Sequence, residues 1–429
     1  MAITINDQPY SWSARGQKLM IRANSTETGQ DGFQYGVTVT ISIGAGVTYN
    51  FLIPPAADGR LYFDLQSLIQ LRNREAQGNR LHNTISGTLT DAECWNNIDF
   101  TISEWYIIDG TLQEAEGSEV NGELIKVVNQ YYQPTDGYKP NPETGAANVK
   151  FSLTDTNSLV MSDRQIATKY PPMFATWGIE PGKVVIPVRE QDYGLLYVPV
   201  GDDYLSNNLG TKVRIVLYKG FPGSPAQDEI TFTTNSVQGL PVFPANLNDR
   251  VGFVAKPSAW PLWTHYTVQV FNGTITQTSV QYVFWNECKY GNCECNWPNV
   301  RLAWVGARGG YEYWNFKKKS EYTTEVDRKT YKRPLFNSSP TIFYANDRGL
   351  NQRTNLAQRI LTVTTDYISQ EDFVYLRGLI VSNQVHMLNE DGSYIAVNID
   401  DSTYVEKRTY DGKLYNLTLK VRMANEYWT

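Results

Sequence analysis

The stretch Arg301–Phe316, RLAWVGARGGYEYWNF, limits what this chain can fold into more than any other. Arg301-Leu302-Ala303-Trp304-Val305 alternates and is rich in bulky side chains, the pattern of a strand. Gly306, Gly309 and Gly310 break the pattern and allow a turn with positive φ. Tyr311, Tyr313, Asn315 and Lys317 then alternate with Glu312, Trp314 and Phe316, which predicts a second strand. The result is an aromatic hairpin with no catalytic group at its tip. It points to packing and partner contact, not to chemistry.

The same bias runs through the whole chain. Its 28 Tyr, 16 Phe and 11 Trp favour strands, and they also favour large stable interfaces, because an aromatic ring carries much contact area at low entropy cost. A length of 429 residues predicts two to four domains. The net charge of −6 gives no basic footprint of the kind a nucleic-acid binder carries. The one basic run, Lys317-Lys318-Lys319 with Arg328, Lys329, Lys332 and Arg333, is interrupted by Glu321, Glu325 and Asp327. It reads as a solvated face or a partner-contact edge. Met1-Ala2-Ile3-Thr4-Ile5 has neither the basic nor the apolar region of a signal peptide, and no window is apolar enough for a membrane helix. Synthesis in a cytoplasm is expected.

Strand patterns organise most of the chain. In the section up to residue 115, Gln34–Ile43 sets Tyr35, Val37, Val39, Ile41 and Ile43 on one face and Thr38, Thr40 and Ser42 on the other. Further strands are predicted at Lys18–Arg22, Thr48–Ile53, Leu61–Phe63, Thr84–Leu89 and Asp99–Ile108, with Asp64 placed to cap a short helix. Short strands with frequent turn signals match an immunoglobulin-like sandwich. Residues 116–165 are rich in Gly, Asn, Pro, Thr and Asp. They predict an extended arm or linker, with Tyr131 and Tyr132 as contact residues. Residues 166–290 predict a second sandwich, whose clearest hairpin signal is Asn272-Gly273. Residues 291–429 hold the opening hairpin and a small α+β unit. Its helix starts at Ser369-Gln370-Glu371-Asp372, which resembles a capping box, and continues through Phe373, Leu376, Leu379 and Ile380. The expected fold is thus mainly β: two immunoglobulin-like sandwiches followed by a small α+β domain.

Catalytic constellations are missing from the sequence. It has no nucleophile elbow, phosphate-binding loop, dinucleotide fingerprint or HExxH motif. His82, His265 and His386 have no neighbouring nucleophile, so each reads as structural. Cys288, Cys293 and Cys295 lack the paired spacing of a zinc site, even with His265 as a possible fourth ligand, and with Cys94 they read as buried or free thiols. Carboxylates cluster at Glu114, Glu116 and Glu119 and at Asp400-Asp401, as a chain with 44 acidic residues offers by chance. No enzyme activity and no cofactor are expected.

Four features together resemble tail- and neck-associated virion proteins of phages and prophages of Bacteroidetes, including crAss-like phages. They are FQYGVTVTI followed by PPAADGRLYFDLQSLI; NCECNWPNVRLAWVGARGGYEYWNF; the YTTEVDRKTYKR run; and ISQEDFVYLRGLIVSNQVHMLNEDGSYIAVNIDDSTYVEKR with KLYNLTLKVRMANEYW. The resemblance implies a virion structural protein of the tail or neck, one subunit of a ring. Its partners would be identical subunits and other tail, neck or portal-proximal proteins. It carries over no catalytic residues. The contact residues expected from the hairpin are Trp304, Tyr311, Tyr313, Trp314 and Phe316, alongside Tyr131 and Tyr132 of the arm. A receptor- or carbohydrate-binding tail module is the alternative, because aromatics also line sugar grooves.

Overall fold

The computed structural model describes residues 3–9, 12–14, 19–42, 46–69, 95–128, 162–164, 182–197, 211–219, 228–234, 239–249, 263–271, 281–287, 298–306, 310–332, 350–382, 384–391, 393–400, 416–424 and 427–428. The chain is mainly β. It divides into two units, Met1–Gly291 with Val305–Glu312, and Asn292–Trp304 with Tyr313–Thr429. Among the described residues no helix is long and apolar enough to cross a membrane.

The first unit opens with β1 (Ile3–Asp7), β2 (Trp12–Ala14), β3 (Met20–Ser25), β4 (Gln34–Ser42), β5 (Val47–Ile53) and β6 (Arg60–Asp64). They are followed by β7 (Trp95–Ile108), β8 (Thr111–Glu114), β9 (Val120–Asn121) and β10 (Ile125–Val128). One sheet has the order β1-β3-β6; a second has the order β2-β10-β7-β4-β5, with β8 and β9 also on β7. Tyr35, Val37, Val39 and Ile41 of β4 are buried, as their alternation predicts. They join Ile21, Ala23 and Leu61 from the first sheet in one core. Each such Val, Leu or Ile side chain contributes roughly 1.5–3 kcal/mol. Asp64 caps the helical residues 66–69: its Oδ1 accepts from the Gln66 N–H at 3.0 Å and from the Leu19 N–H at 3.2 Å.

The first part of the stretch 116–165, expected as an arm or linker, belongs to the sheet. β9 pairs with β7, and β10 lies between β7 and β2, antiparallel to one and parallel to the other. Ile125 and Val127 are buried in the core. Two inward residues are too short a run to stand out from polar surroundings. Residues 129–161 and 165–181, with Tyr131 and Tyr132, lie outside the described residues, as does the predicted strand Thr84–Leu89.

The first unit continues with β11 (Val184–Val188), β12 (Leu196–Tyr197), β13 (Thr211–Lys219), β14 (Asp228–Thr234), β15 (Gly239–Leu240), helix α1 (Pro244–Asp249), β16 (Trp263–Phe271) and β17 (Tyr282–Asn286). The sheet order is β11-β17-β16-β13-β14, with β12 and β15 forming a separate pair. β11 runs parallel to β17, so this sheet is not wholly antiparallel. Tyr266 stacks on Phe284 at 5.0 Å, and Phe243 meets Phe284 edge-on at 5.1 Å.

β16 and β17 pair antiparallel on either side of Asn272-Gly273, as the hairpin signal predicts, but a two-residue turn would set Val268 opposite Gln277 and the register sets it opposite Tyr282. The connection itself lies outside the described residues. Helix α1 falls in what reads as a proline-punctuated turn. Pro244 sits at its first position, where a missing N–H costs nothing, and six residues are too few for a helical period to show.

The second unit holds β18 (Val300–Val305) up to Trp304, β19 (Tyr311–Phe316) from Tyr313, and all of β20 (Glu321–Lys332), β21 (Leu350–Thr364), helix α2 (Gln370–Val381), β22 (Val385–Leu388), β23 (Tyr394–Ile399), β24 (Thr418–Met423) and β25 (Tyr427–Trp428). The sheet order is β19-β18-β22-β23-β24-β21-β20, with β25 on β21. Ser369 caps α2: its Oγ accepts from the Asp372 N–H at 3.1 Å and donates to the Asp372 carboxylate at 3.0 Å. The helix places Phe373, Tyr375, Leu376 and Leu379 in one core with Leu302, Trp304, Leu361, Val363 and Val421.

Candidate interaction surface

The aromatic hairpin is core. Trp304, Tyr311, Tyr313 and Phe316 are all buried, and Trp314 is half-buried. The Trp304 ring lies 5.2 Å from that of Tyr375, and Trp314 lies 6.2 Å from it. The Tyr375 hydroxyl accepts from the Tyr313 N–H at 3.3 Å. Arg301 lies over the Tyr313 ring at 4.9 Å and donates to Asn315 Oδ1 at 3.0 Å. These side chains already spend their contact area inside the chain. Their burial makes the hairpin a packing element within the chain: alternation identifies a strand but does not tell its own core from a neighbour's.

The tip of this hairpin is closed by polar contacts. The Gly306 N–H donates to the Gly310 carbonyl at 2.8 Å. The buried Glu312 carboxylate accepts from the Asp163 N–H and, at 3.3 Å, from Ser162 Oγ. A Cβ on Gly306 would lie 2.6 Å from Asp163 Oδ2 and 2.9 Å from Glu312 Cγ, so an added methyl would force these two side chains to shift.

A continuous exposed surface of the second unit lies on β20. All twelve residues of EYTTEVDRKTYK are exposed. β20 pairs with β21 from Glu321 opposite Thr362 to Lys332 opposite Leu350, with a register shift between Lys329 and Thr330. β21 pairs with β24 over Ile360–Thr364 and with β25 at Leu356 and Ala357. Its residues 350–355 meet only β20 among the described residues. The pair thus runs past the sheet as a two-stranded ribbon, and β20 has no strand on its outer side among the described residues.

The ribbon's root is anchored to the sheet. Arg359 lies over the Tyr322 ring at 3.8 Å, close enough for a cation–π contact. Arg422 grips Asp400 with two bonds, 3.1 Å from Nε and 2.8 Å from Nη2, and reaches Glu325 Oε2 at 3.5 Å; it also donates to Gln358 Oε1. The Arg422 guanidinium holds the Asp400 carboxyl below its ordinary value. Lys318 pairs with Asp366 at 3.2 Å and Lys319 with Glu321.

The two faces of the ribbon differ in charge. Tyr322, Val326, Arg328 and Lys332 alternate onto one face, opposite Leu361, Ala357, Asn355 and Leu350. With Arg359, that face carries cations and apolar groups and no carboxylate. Glu321, Glu325 and Asp327 fall on the other. Tyr322, Val326 and Leu350 are each more than two-fifths exposed, which marks an apolar strip that the chain leaves uncovered.

This ribbon has no signal in a search for buried alternation. Its Thr, Val and Tyr content favours a strand, but neither face is apolar, so only composition points to it. His265 is buried, bonded to Thr264 Oγ1 at 3.0 Å, and set opposite Trp285 in the sheet. Among the described residues no group of three or more His, Cys, Asp or Glu is placed to hold a metal ion. Cys94, Cys288, Cys293 and Cys295 lie outside the described residues. No protein-family model matches the chain, and no curated protein matches it.

Proposed function

We propose that the chain is a structural subunit of a tailed-phage particle, in its tail or neck, and that it assembles with identical copies into a ring. Two immunoglobulin-like sandwiches, the first extended through β10, and a small α+β end would form its body. The carrying observation is the β20–β21 ribbon: a fully exposed edge strand, an overhanging pair and an uncovered apolar strip on one face. Natural sheets cover or blunt long open edges, and a permanent assembly covers them with a neighbour. The resemblance of the four sequence segments to tail and neck proteins gives the particle. A contact between two different surfaces, repeated around an axis, closes as a ring.

Mass photometry and negative-stain imaging of the purified chain test this reading. Closed rings of uniform copy number are expected. Single particles at every concentration up to the solubility limit reject it.

A further inference from the structure

The first unit carries a surface of the opposite kind. On the outward face of β7, Asp99, Thr101, Ser103, Trp105 and Ile107 alternate with the buried residues Ile98, Phe100 and Ile102. The register places Leu112 beside Ile107, Glu114 beside Trp105, and Gly36 with Leu52 beside Ser103. Gly36 is what lets the indole lie down here. A Cβ at that position would stand 2.5 Å from Trp105 Nε1, which donates to Ser103 Oγ at 3.0 Å. Leu52, Ile107 and Leu112 are each two-fifths exposed or more around this ring.

The strands that carry this patch are rich in carboxylates. Asp99, Asp109, Glu114, Glu116, Glu119 and Glu123 are all exposed, and the first basic residue after Trp95 is Lys126, which the register sets opposite Asn97. An apolar centre with a mostly acidic border is the make-up of a docking surface. The ribbon face of the second unit has the matching composition, Tyr322, Val326 and Leu350 among Arg328, Lys332 and Arg359. Among the described residues Arg328 and Lys332 meet no carboxylate.

From this match we infer that the basic-apolar face of the β20–β21 ribbon docks on the acidic-apolar outer face of β7 and β8 in a second copy of the chain. This rests on the ring reading above and specifies its contact. Each copy offers one ribbon and one patch, so the contact is head-to-tail and propagates until it closes. Opposed charges steer the approach and fix the register, and the apolar centres supply the buried area. A nucleic acid is the less suited occupant: it would leave Val326 and Leu350 uncovered, and the chain as a whole repels it at a net charge of −6.

Charge reversal on the full chain tests the pairing. The ribbon variant R328E/K332E and the patch variant D99K/E114K should each weaken self-association about tenfold or more, because two opposed pairs become like pairs. All four positions are exposed, so far-UV circular dichroism should match the unaltered chain. An equimolar mixture of the two variants restores both contacts, since the acidic ribbon of one meets the basic patch of the other. A single chain carrying all four changes should also reassemble. Raising salt from about 0.05 M to 0.5 M should weaken every complementary combination.

If the unaltered chain forms rings that neither variant disturbs, the ring reading stands and this contact is wrong. A chain that is monomeric throughout overturns both. Weakened variants that fail to restore each other show that the two surfaces have different partners. A ribbon variant that loses affinity for duplex DNA, with association unchanged, also sinks the proposal.

Discussion

Truncating Trp304 to alanine separates the two roles open to the aromatic hairpin. Trp304 is fully buried on β18, between β19 and β22 in the sheet and against the Tyr375 ring of α2. A buried tryptophan removes about 150–250 Å² from water, worth roughly 4–6 kcal/mol at 25 cal/mol per Å². Partial collapse of the cavity brings the expected loss to about 3–5 kcal/mol. Hydrogen exchange read peptide by peptide suits a chain of two units, because it localises the effect. Peptides from β18, β22 and α2 should exchange about 10²- to 10³-fold faster, since each 1.4 kcal/mol is a factor of ten. Trp304→Phe sharpens the test. The indole Nε1 has no hydrogen-bond partner in the structure, and an unsatisfied buried donor costs about 1–3 kcal/mol. Removing it offsets much of the lost ring area, so the phenylalanine variant should lie within about 1 kcal/mol of the original. The matched surface change, Tyr331→Ala, should leave protection in β18 and α2 unaltered. If Trp304→Ala kept full protection and lost only assembly, the hairpin would be a contact surface after all.

Three further outcomes follow from the same structure. Gly306→Ala should cost about 1–3 kcal/mol, because the added methyl falls on Asp163 and Glu312; an unchanged melting temperature would contradict the close approach at the tip. Burial first, and Lys183 second, depress the His265 imidazole from 6.5 to about 4. Its neutral form therefore belongs to the folded state, so its stability contribution is complete above pH 6.5 and is lost as pH falls from 6.5 through 4, on the order of 3 kcal/mol in all. His265→Gln should flatten the dependence of the urea midpoint on pH across that window, and an unaltered slope would place the titrating group elsewhere. Arg422→Ala removes the link between Asp400, Gln358 and Glu325. Exchange should rise at the root of β20 while overall stability changes by less than about 1 kcal/mol, and a large global loss would mean the arginine does more than anchor the ribbon.

Where one face of a strand is buried, the sequence is legible. β4 is the clear case, since a period of two in Tyr35, Val37, Val39 and Ile41 admits one placement. Helix α2 is legible for the same reason at a period near 3.6, with Ser369 as its cap. Legibility ends where burial stops supplying the pattern. β20 has neither face in the core, so its residues do not alternate in hydropathy. Burial also fails to say whose core a residue enters: Trp304 and Tyr313 have the composition of an interface and the position of a packed strand. The outer patch on β7 was hidden because its members come from β5, β7 and β8, and only the register brings Leu52, Trp105 and Leu112 to one face.

The ribbon is where the energetics most call for a partner. Among the described residues, it adds no side chain to the core of the second unit beyond its root. Fixing each backbone residue costs about 1–2 kcal/mol, and a ladder hydrogen bond returns about 0.5–1.5 kcal/mol. On backbone terms alone a two-stranded pair does not hold itself, and an isolated hairpin in water is marginal at best. The contacts of Arg359 with Tyr322 and of Arg422 with Glu325 steady only the end nearest the sheet. A docking surface that covers Val326 and Leu350 would tip that balance, by about 25 cal/mol for each Å² of apolar area it removes from water. Assembly and ordering of the ribbon are then one equilibrium. Protection of the β20 amides should rise with protein concentration in the unaltered chain and stay flat in R328E/K332E, while protection in β4 is the same in both. Concentration-independent protection of β20 would mean that the ribbon is held by its own chain and needs no neighbour.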